Sequence, residues 1–175
     1  FISTGNQRSF GDVALNDKLI ISMRNFKKVI YFNEKKGIIE LECGVLLKEI
    51  LPIIVKKNWI FPVTPGTKYV SIGGMVANNI HGKNTQKNQI KFYVKNIKLL
   101  TPNKKIILCS PKRNKKIFDL TIGGFGLTGI ILSATIQLKK ISSFYLKQEI
   151  VEFNTYNEFY NGAKRIDNFE YSVSW

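Results

Sequence analysis

The placement of glycine is the sequence feature that most constrains how this chain can fold. Glycines gather in three clusters, at residues 5–11 ("GNQRSFG"), 66–82 and 123–129 ("GGFGLTG"). Each cluster lies at a junction between regular elements, where glycine permits sharp turns and close approach of a ligand to the main chain. Consecutive backbone N–H groups there form a concavity that suits phosphate oxygens, whereas turn and packing glycines give the same pattern. The clusters indicate a phosphate-binding surface, with turn and packing roles as the alternative.

The middle cluster also carries the only histidine of the chain. The segment 66–84 reads "GTKYVSIGGMVANNIHGKN" and holds four of the thirteen glycines. Ser71 is placed to cap a short helix that begins at the paired glycines. A lone histidine is usually part of a core, but His81 has polar neighbours on both sides, which favours the wall of a site.

Other motifs are excluded. No GxxxxGKS or GxxxxGKT phosphate loop occurs, nor a GxGxxG after a strand with an acidic residue about 20 residues on, nor a GxSxG nucleophile elbow. Cys43 and Cys109 lack metal-ligand spacing, so no metal site is expected. The formal charge of +15 suits nucleic acid, anionic lipid or a phosphorylated ligand. The lysines are dispersed, as in a solvated surface, and no basic–aromatic module is present, so nucleic acid is not expected.

Hydrophobic patterning predicts an α+β fold with strands in pairs. We expect strands around residues 18–23, 27–33 and 38–45, a hairpin over 92–110, and strands over 128–141, 144–153 and 169–175. Helices are expected over 46–57, where Pro52 should kink or restart the helix, from Ser71, from Lys115, and over 157–167.

The ends of the chain both read as strands and no signal peptide opens it, so we expect a fragment of a longer protein. We expect residues 1–140 to form one domain and residues 141–175 to begin the next region. No apolar run approaches the ~20 residues needed to span a bilayer. A cytoplasmic or peripherally membrane-associated protein is therefore expected.

Three motifs in order resemble one family. "GNQRSFGD", "FPVTPGTKYVSIGGMVANNIHGKN" and "TIGGFGLTGIILSATIQL" resemble the FAD-binding domain of the vanillyl-alcohol oxidase/p-cresol methylhydroxylase (PCMH) type. Within that type they are similar to the decaprenylphosphoryl-β-D-ribose 2-oxidase group. The resemblance implies two small α+β subdomains with FAD between them, in agreement with the phosphate-binding interpretation of the glycine clusters.

The resemblance also implies which residues contact the cofactor. The matching positions are Gly5, Asn6, Gln7, Arg8, Ser9, Phe10, Gly66, Thr67, Ser71, Ile72, Gly73, Gly74, Asn78, Ile80, His81, Gly126, Gly129 and Ile131. His81 and Lys83 are the candidates for the face shared by flavin and substrate. No catalytic base is assigned.

The chain departs from the family pattern in ways that affect chemistry. Some relatives attach flavin through a histidine where this chain has Arg8, so non-covalent FAD is expected. Gln7 replaces a frequent glycine, which requires either another backbone conformation or a tolerated left-handed residue. Thr4 stands where the group often has arginine. Residues 85–93 lack the histidine pair and glycine of relatives, so the loop beside His81 is expected to be rebuilt, which bears on specificity and activity.

The function implied by the resemblance is oxidation of a sugar hydroxyl by hydride transfer to flavin N5. The substrate would be a sugar or lipid-linked sugar, such as a polyprenyl-phosphate-linked pentose, as in the synthesis of cell-wall polysaccharide precursors. Alternatives are a sugar-1,4-lactone (aldonolactone) oxidase of the same fold and a catalytically inactive binding module. Family analogy adds a peripheral membrane contact and a partner reductase of the short-chain dehydrogenase type.

Overall fold

A five-stranded antiparallel sheet forms the centre of the fold. The computed structural model describes residues 1–84, 86–164 and 169–174. The sheet order is β3-β4-β8-β6-β7. Its strands are β3 (Val29–Asn33), β4 (Ile38–Glu42), β6 (Val94–Leu100), β7 (Ile106–Cys109) and β8 (Ile130–Gln137). Central strand β8 is buried along most of its length, as expected where both sheet faces are covered.

Two small strand pairs complete the sheets. β1 (Ile2–Thr4) pairs in parallel with β2 (Ile20–Ser22), and β5 (Trp59–Ile60) pairs antiparallel with β9 (Lys139–Lys140). The mixture of helices with mainly antiparallel strands confirms the predicted α+β class and the PCMH-type domain.

The described residues contain four α-helices, the last of which follows the final strand, β9. They are α1 (Leu47–Val55), α2 (Ile72–Ala77), α3 (Lys115–Thr121) and α4 (Tyr156–Ala163), and a short 3₁₀ helix spans Ile90–Phe92. Helix α2 packs on strands β4 and β8, and its Ile72, Met75 and Val76 are fully buried. The core therefore holds the helix that carries the middle glycine cluster.

Helix α1 runs through Pro52 as one element, so the expected restart is wrong, while the alternative of a kink stays a prediction. Proline deprives the carbonyl of Lys48 of its helical donor. Both residues are exposed, so water can satisfy that carbonyl. The inward side of the helix, with Leu47, Ile50 and Ile54 buried, outweighs the lost bond.

Two predicted strands near the end of the chain are wrong. Residues 144–153 are exposed and form neither strand nor helix. Residues 169–174 form only one isolated bridge, between Asn84 and Tyr171, and Trp175 lies outside the described residues. Alternating apolar residues make a strand only where a partner takes up their backbone hydrogen bonds, and the described residues offer 144–153 no such partner. The predicted helix is confirmed as α4, while 165–167 fall outside the described part.

Candidate functional site

The first glycine loop packs directly on the segment before α2. A Cβ built on Gly5 would lie 2.0 Å from Ser71 Oγ, so no side chain fits between them. The side-chain amide of Asn6 donates to the carbonyl of Tyr69 over 2.8 Å. Two segments separated by more than 60 residues therefore meet.

At the start of α2, Gly73 is closely packed, and the N–H groups of Gly73 and Gly74 form hydrogen bonds within the protein. Ser71 Oγ accepts from the N–H of Gly74 over 3.3 Å, which confirms the predicted cap. The N–H of Gly73 donates to the carbonyl of Cys43 over 2.8 Å, and a Cβ on Gly73 would lie 2.9 Å from that of Cys43. Close packing, the alternative left open by the sequence, thus explains Gly73, and neither N–H is free for a phosphate. Gly66 is exposed with open space beside it.

In the first loop, by contrast, several backbone N–H groups are unpaired among the described residues. No N–H of residues 6–10 donates to another described residue. Gln7 has a φ of 51°, the left-handed conformation that the missing glycine would favour. The side chain of Phe10 is 98% exposed. A run of unpaired N–H groups on an exposed loop is what an anionic ligand requires.

Cations gather beside this loop, around the ring of Tyr69. The charged groups of Arg8, Lys48 and Lys68 lie 5.9, 5.2 and 6.0 Å from the ring centroid. Helix α1 brings Lys48 there, because the N–H of Lys48 donates to the carbonyl of Lys68 over 2.8 Å. Sequence reasoning missed Lys48, Lys68 and Tyr69, since only tertiary contact joins them to the first loop. Together they place three positive charges beside the unpaired N–H groups of the first loop.

The late glycine cluster joins the other end of α2 to β1. The N–H groups of Gly123 and Phe125 donate to the carbonyls of Val76 and Ala77 over 3.0 and 2.9 Å. Gly126 has a φ of 80°, and a Cβ there would lie 3.6 Å from atoms of Ile2 and Ser3. The first loop therefore contacts the start of α2, and the late glycine cluster contacts its end.

The remaining residues that were predicted to contact the cofactor fall into two groups, those around α2 and those in the core. The side-chain amide of Asn78 donates to the carbonyl of Gly74 over 2.9 Å, and Thr67 Oγ1 accepts from the N–H of Tyr69 over 3.3 Å. Gly129 is packed against the carbonyl of Leu100, and Ile131 is 5% exposed within β8. The structure gives Gly129 and Ile131 packing roles, and their contact with the cofactor stays a prediction.

His81 and Lys83 lie on the first arm of a hairpin whose described arms are residues 79–84 and 86–91. His81 bridges Gln89 in antiparallel register, and backbone bonds of 2.9 Å join Gly82 to Asn88 and Ile90 to Ile80. His81 and Lys83 are exposed, whereas Ile90 is fully buried. The segment 86–91, which departs from the family pattern, is thus the second arm of the hairpin that presents His81.

Tyr171 and Ser172, near the end of the chain, contact this hairpin. The N–H of Ser172 donates to the carbonyl of Lys83 over 2.9 Å. Lys139 pairs with Glu170 and lies 5.6 Å from the ring centroid of Tyr171. Burial raises the pKa of Tyr171, with the nearby Tyr93 adding to the effect. This contact was not predictable from the sequence, because a strand-like pattern does not specify which segment it pairs with.

The residues fit FAD by their chemistry: free N–H groups and cations at the first loop, close-packed glycines behind them, and an exposed polar hairpin at the far end. The chain matches the FAD binding domain family over residues 1–110. It belongs to that family, and FAD is its cofactor.

Among curated proteins, the chain is 30% identical to decaprenylphosphoryl-beta-D-ribose oxidase of Mycolicibacterium smegmatis, over 99% of the chain and 39% of that protein. It is 26% identical to L-gulonolactone oxidase of Bos taurus, over 82% of the chain and 32% of that protein. It is 25% identical to D-lactate dehydrogenase of Anaerostipes hadrus, over 81% of the chain and 32% of that protein. These matches confirm the resemblance, and the chain spans less than two fifths of the length of each of these relatives.

No helix among the described residues is long and apolar enough to cross a membrane.

Proposed function

We propose that the chain is the cofactor-binding part of an FAD-dependent oxidoreductase that acts on a sugar hydroxyl. The observation that carries the proposal is the convergence of the three glycine clusters on α2, with the His81 hairpin following directly. Bound FAD would supply the two-electron acceptor, its N5 taking the hydride from a carbinol carbon. In the domain division that we propose, residues 1–140 bind FAD and residues 141–175 begin the region that covers the substrate.

The residues of the chain have separable tasks in this proposal. The free N–H groups of the first loop and the cations around Tyr69 hold the phosphates. His81 and Lys83 face the flavin and the substrate, where a cation stabilises negative charge that develops on reduction. Arg8 has no imidazole through which the flavin could be attached, so FAD is held non-covalently. No residue of the described part is assigned as the base that takes the hydroxyl proton.

Two substrates are candidates within this function. The similarity to decaprenylphosphoryl-beta-D-ribose oxidase over 99% of the chain supports a polyprenyl-phosphate-linked pentose, with a peripheral membrane contact and a reductase of the short-chain dehydrogenase type as partner. The similarity to L-gulonolactone oxidase over 82% of the chain supports an aldonolactone. A catalytically inactive module is the third candidate, motivated by the altered segment after Asn84.

Anaerobic titration of the purified flavoprotein separates these candidates. We expect loss of flavin absorbance with a polyprenyl-phosphate-linked pentose and little change with an aldonolactone. The reverse order would favour the lactone oxidase. Flavin that no sugar reduces would contradict the oxidoreductase proposal. Acid precipitation gives a second readout, because yellow colour retained on the polypeptide would contradict non-covalent binding.

A further inference from the structure

Residues 169–172 pair with the first arm of the hairpin at Lys83 and Asn84. Asn84 bridges Tyr171 in antiparallel register, and the N–H of Ser172 donates to the carbonyl of Lys83 over 2.9 Å. Paired backbone groups of this kind hold two chain segments together. The segment 169–172 therefore contacts the arm just beyond its histidine, at the residues that follow it.

The same arm is tied on another side to the loop that contains Pro62 and Thr64. The side-chain amide of Asn84 donates to the carbonyl of Pro62 over 2.7 Å, and Pro62 is buried. A Cβ built on Gly82 would lie 3.1 Å from the backbone nitrogen of Thr64, so the arm packs closely on this loop. The residues on both sides of Lys83 are thus held by the core, while the segment 169–172 binds the carbonyl of Lys83 itself.

Lys139 joins the segment 169–172 to the main fold. Its ammonium pairs with the carboxylate of Glu170 and lies 5.6 Å from the ring centroid of Tyr171. Its backbone belongs to β9, which pairs with β5. The side chains of Lys139 and Glu170 are 37% and 54% exposed, so their ion pair is a partly solvated contact of modest strength. The segment is therefore attached through a lysine on a fixed strand, by contacts weak enough to open and close.

We propose that Lys139 is a positioning residue, which holds residues 169–172 on the hairpin arm and thereby fixes where His81 and Lys83 lie against the flavin. The proposal rests on the proposed function, which places those two side chains beside the flavin and the substrate. A ligand shifts a protein toward the state that binds it better. Attachment of the segment and binding of FAD should therefore favour each other by the same factor.

The test compares Lys139→Met, which keeps an apolar stem and removes the charge, with Lys140→Met, an equal charge change in the same strand. Lys140 is exposed, and its backbone pairs with Trp59 in β5. Lys139→Arg is the conservative variant, since a guanidinium can pair with a carboxylate and stack on an aromatic ring. Hydrogen exchange of the purified protein, read by mass spectrometry, compares peptides covering residues 169–174 with peptides from β8, without and with FAD. Flavin fluorescence gives the Kd of FAD for each variant.

An exposed ion pair and a cation–π contact together are worth about tenfold in an equilibrium constant. We expect exchange in residues 169–174 to be about tenfold faster in Lys139→Met and unchanged in Lys140→Met, with exchange in β8 unaffected in both. Lys139→Arg should behave as the wild type. FAD should slow this exchange in the wild type, and its Kd should be weaker in Lys139→Met by at most about tenfold, since only the attached state binds FAD fully.

Equal exchange in Lys139→Met and Lys140→Met would overturn the proposal. So would exchange that FAD does not slow, together with an unchanged Kd for FAD in Lys139→Met, because the segment would then be attached without positioning anything. Faster exchange throughout β8 would assign Lys139 to the stability of the fold and would also overturn its positioning role. If the protein takes up no FAD, the proposed function fails, and faster exchange confined to residues 169–174 in Lys139→Met still supports the attachment.

Discussion

Replacing Gly5 by alanine should break the contact between the first loop and α2. The new methyl group would lie 2.0 Å from Ser71 Oγ and 2.9 Å from Ser71 Cβ. Ser71 is 3% exposed, so its side chain has little room to move, and moving it would break the cap on α2. Overpacking a buried position costs about 1–3 kcal/mol, and losing a helix cap costs about 1 kcal/mol. We expect Gly5→Ala to lower the free energy of unfolding by about 2–4 kcal/mol.

Urea denaturation followed by circular dichroism measures this loss. Gly66→Ala is the matched control, because its methyl group would meet nothing within 4 Å and should leave stability unchanged. Ser71→Gly removes the obstructing side chain, and glycine is tolerated at a cap position. Gly5→Ala should therefore cost little in the Ser71→Gly background, giving a coupling of about 2 kcal/mol. Additive losses, or a Gly5→Ala variant as stable as Gly66→Ala, would refute the packing of the loop on α2.

Three further predictions concern single residues. Gln7→Gly should raise the free energy of unfolding by up to about 1 kcal/mol by relieving the left-handed backbone, and a loss in urea denaturation would contradict this. The pKa of Glu49 is lowered below 4.5, first because its carboxylate accepts from the N–H of Leu46 and then because of Lys27. The stabilisation of the fold by this carboxylate is therefore present above pH 4.5 and lost as pH falls through the folded pKa. Glu49→Gln should lower the free energy of unfolding by about 0.5 kcal/mol at pH 7 and by nothing at pH 2.5. An equal loss at both pH values would contradict the assignment. Burial raises the pKa of Cys43 to about 12, so iodoacetamide at pH 8 should label it only after unfolding; labelling of the native protein at the denatured rate would show that the thiol is accessible.

Local signals made part of the fold predictable from the sequence. The serine cap before paired glycines specified α2, because the cap bond and the glycines lie within four residues. Charged turns between apolar runs specified the β3–β4 and β6–β7 hairpins, since neighbouring strands in sequence usually pair. The glycine clusters are local signals too, and their interpretation as a phosphate-binding surface stays a prediction.

Features that depend on distant partners were not predictable. The apolar and aromatic runs of residues 144–153 look like a strand, but no described strand pairs with them. Lys48 joins the first loop only because α1 packs beside Tyr69. Glycines that serve packing could not be distinguished from glycines in a loop whose N–H groups are free for a ligand. The sequence does not show that Gly73 packs against Cys43, nor that the N–H groups of the first loop are unpaired.

The central claim is that the first loop, α2 and the late glycine cluster together hold one FAD without a covalent bond. The most direct measurement is a titration of the flavin-free protein with FAD, followed by flavin fluorescence, for the wild type and Gly5→Ala. We predict saturation at one FAD per chain, full release of flavin on acid unfolding, and weaker binding in Gly5→Ala. A protein that takes up no FAD, or a Gly5→Ala variant that binds it as tightly as the wild type, would contradict the account.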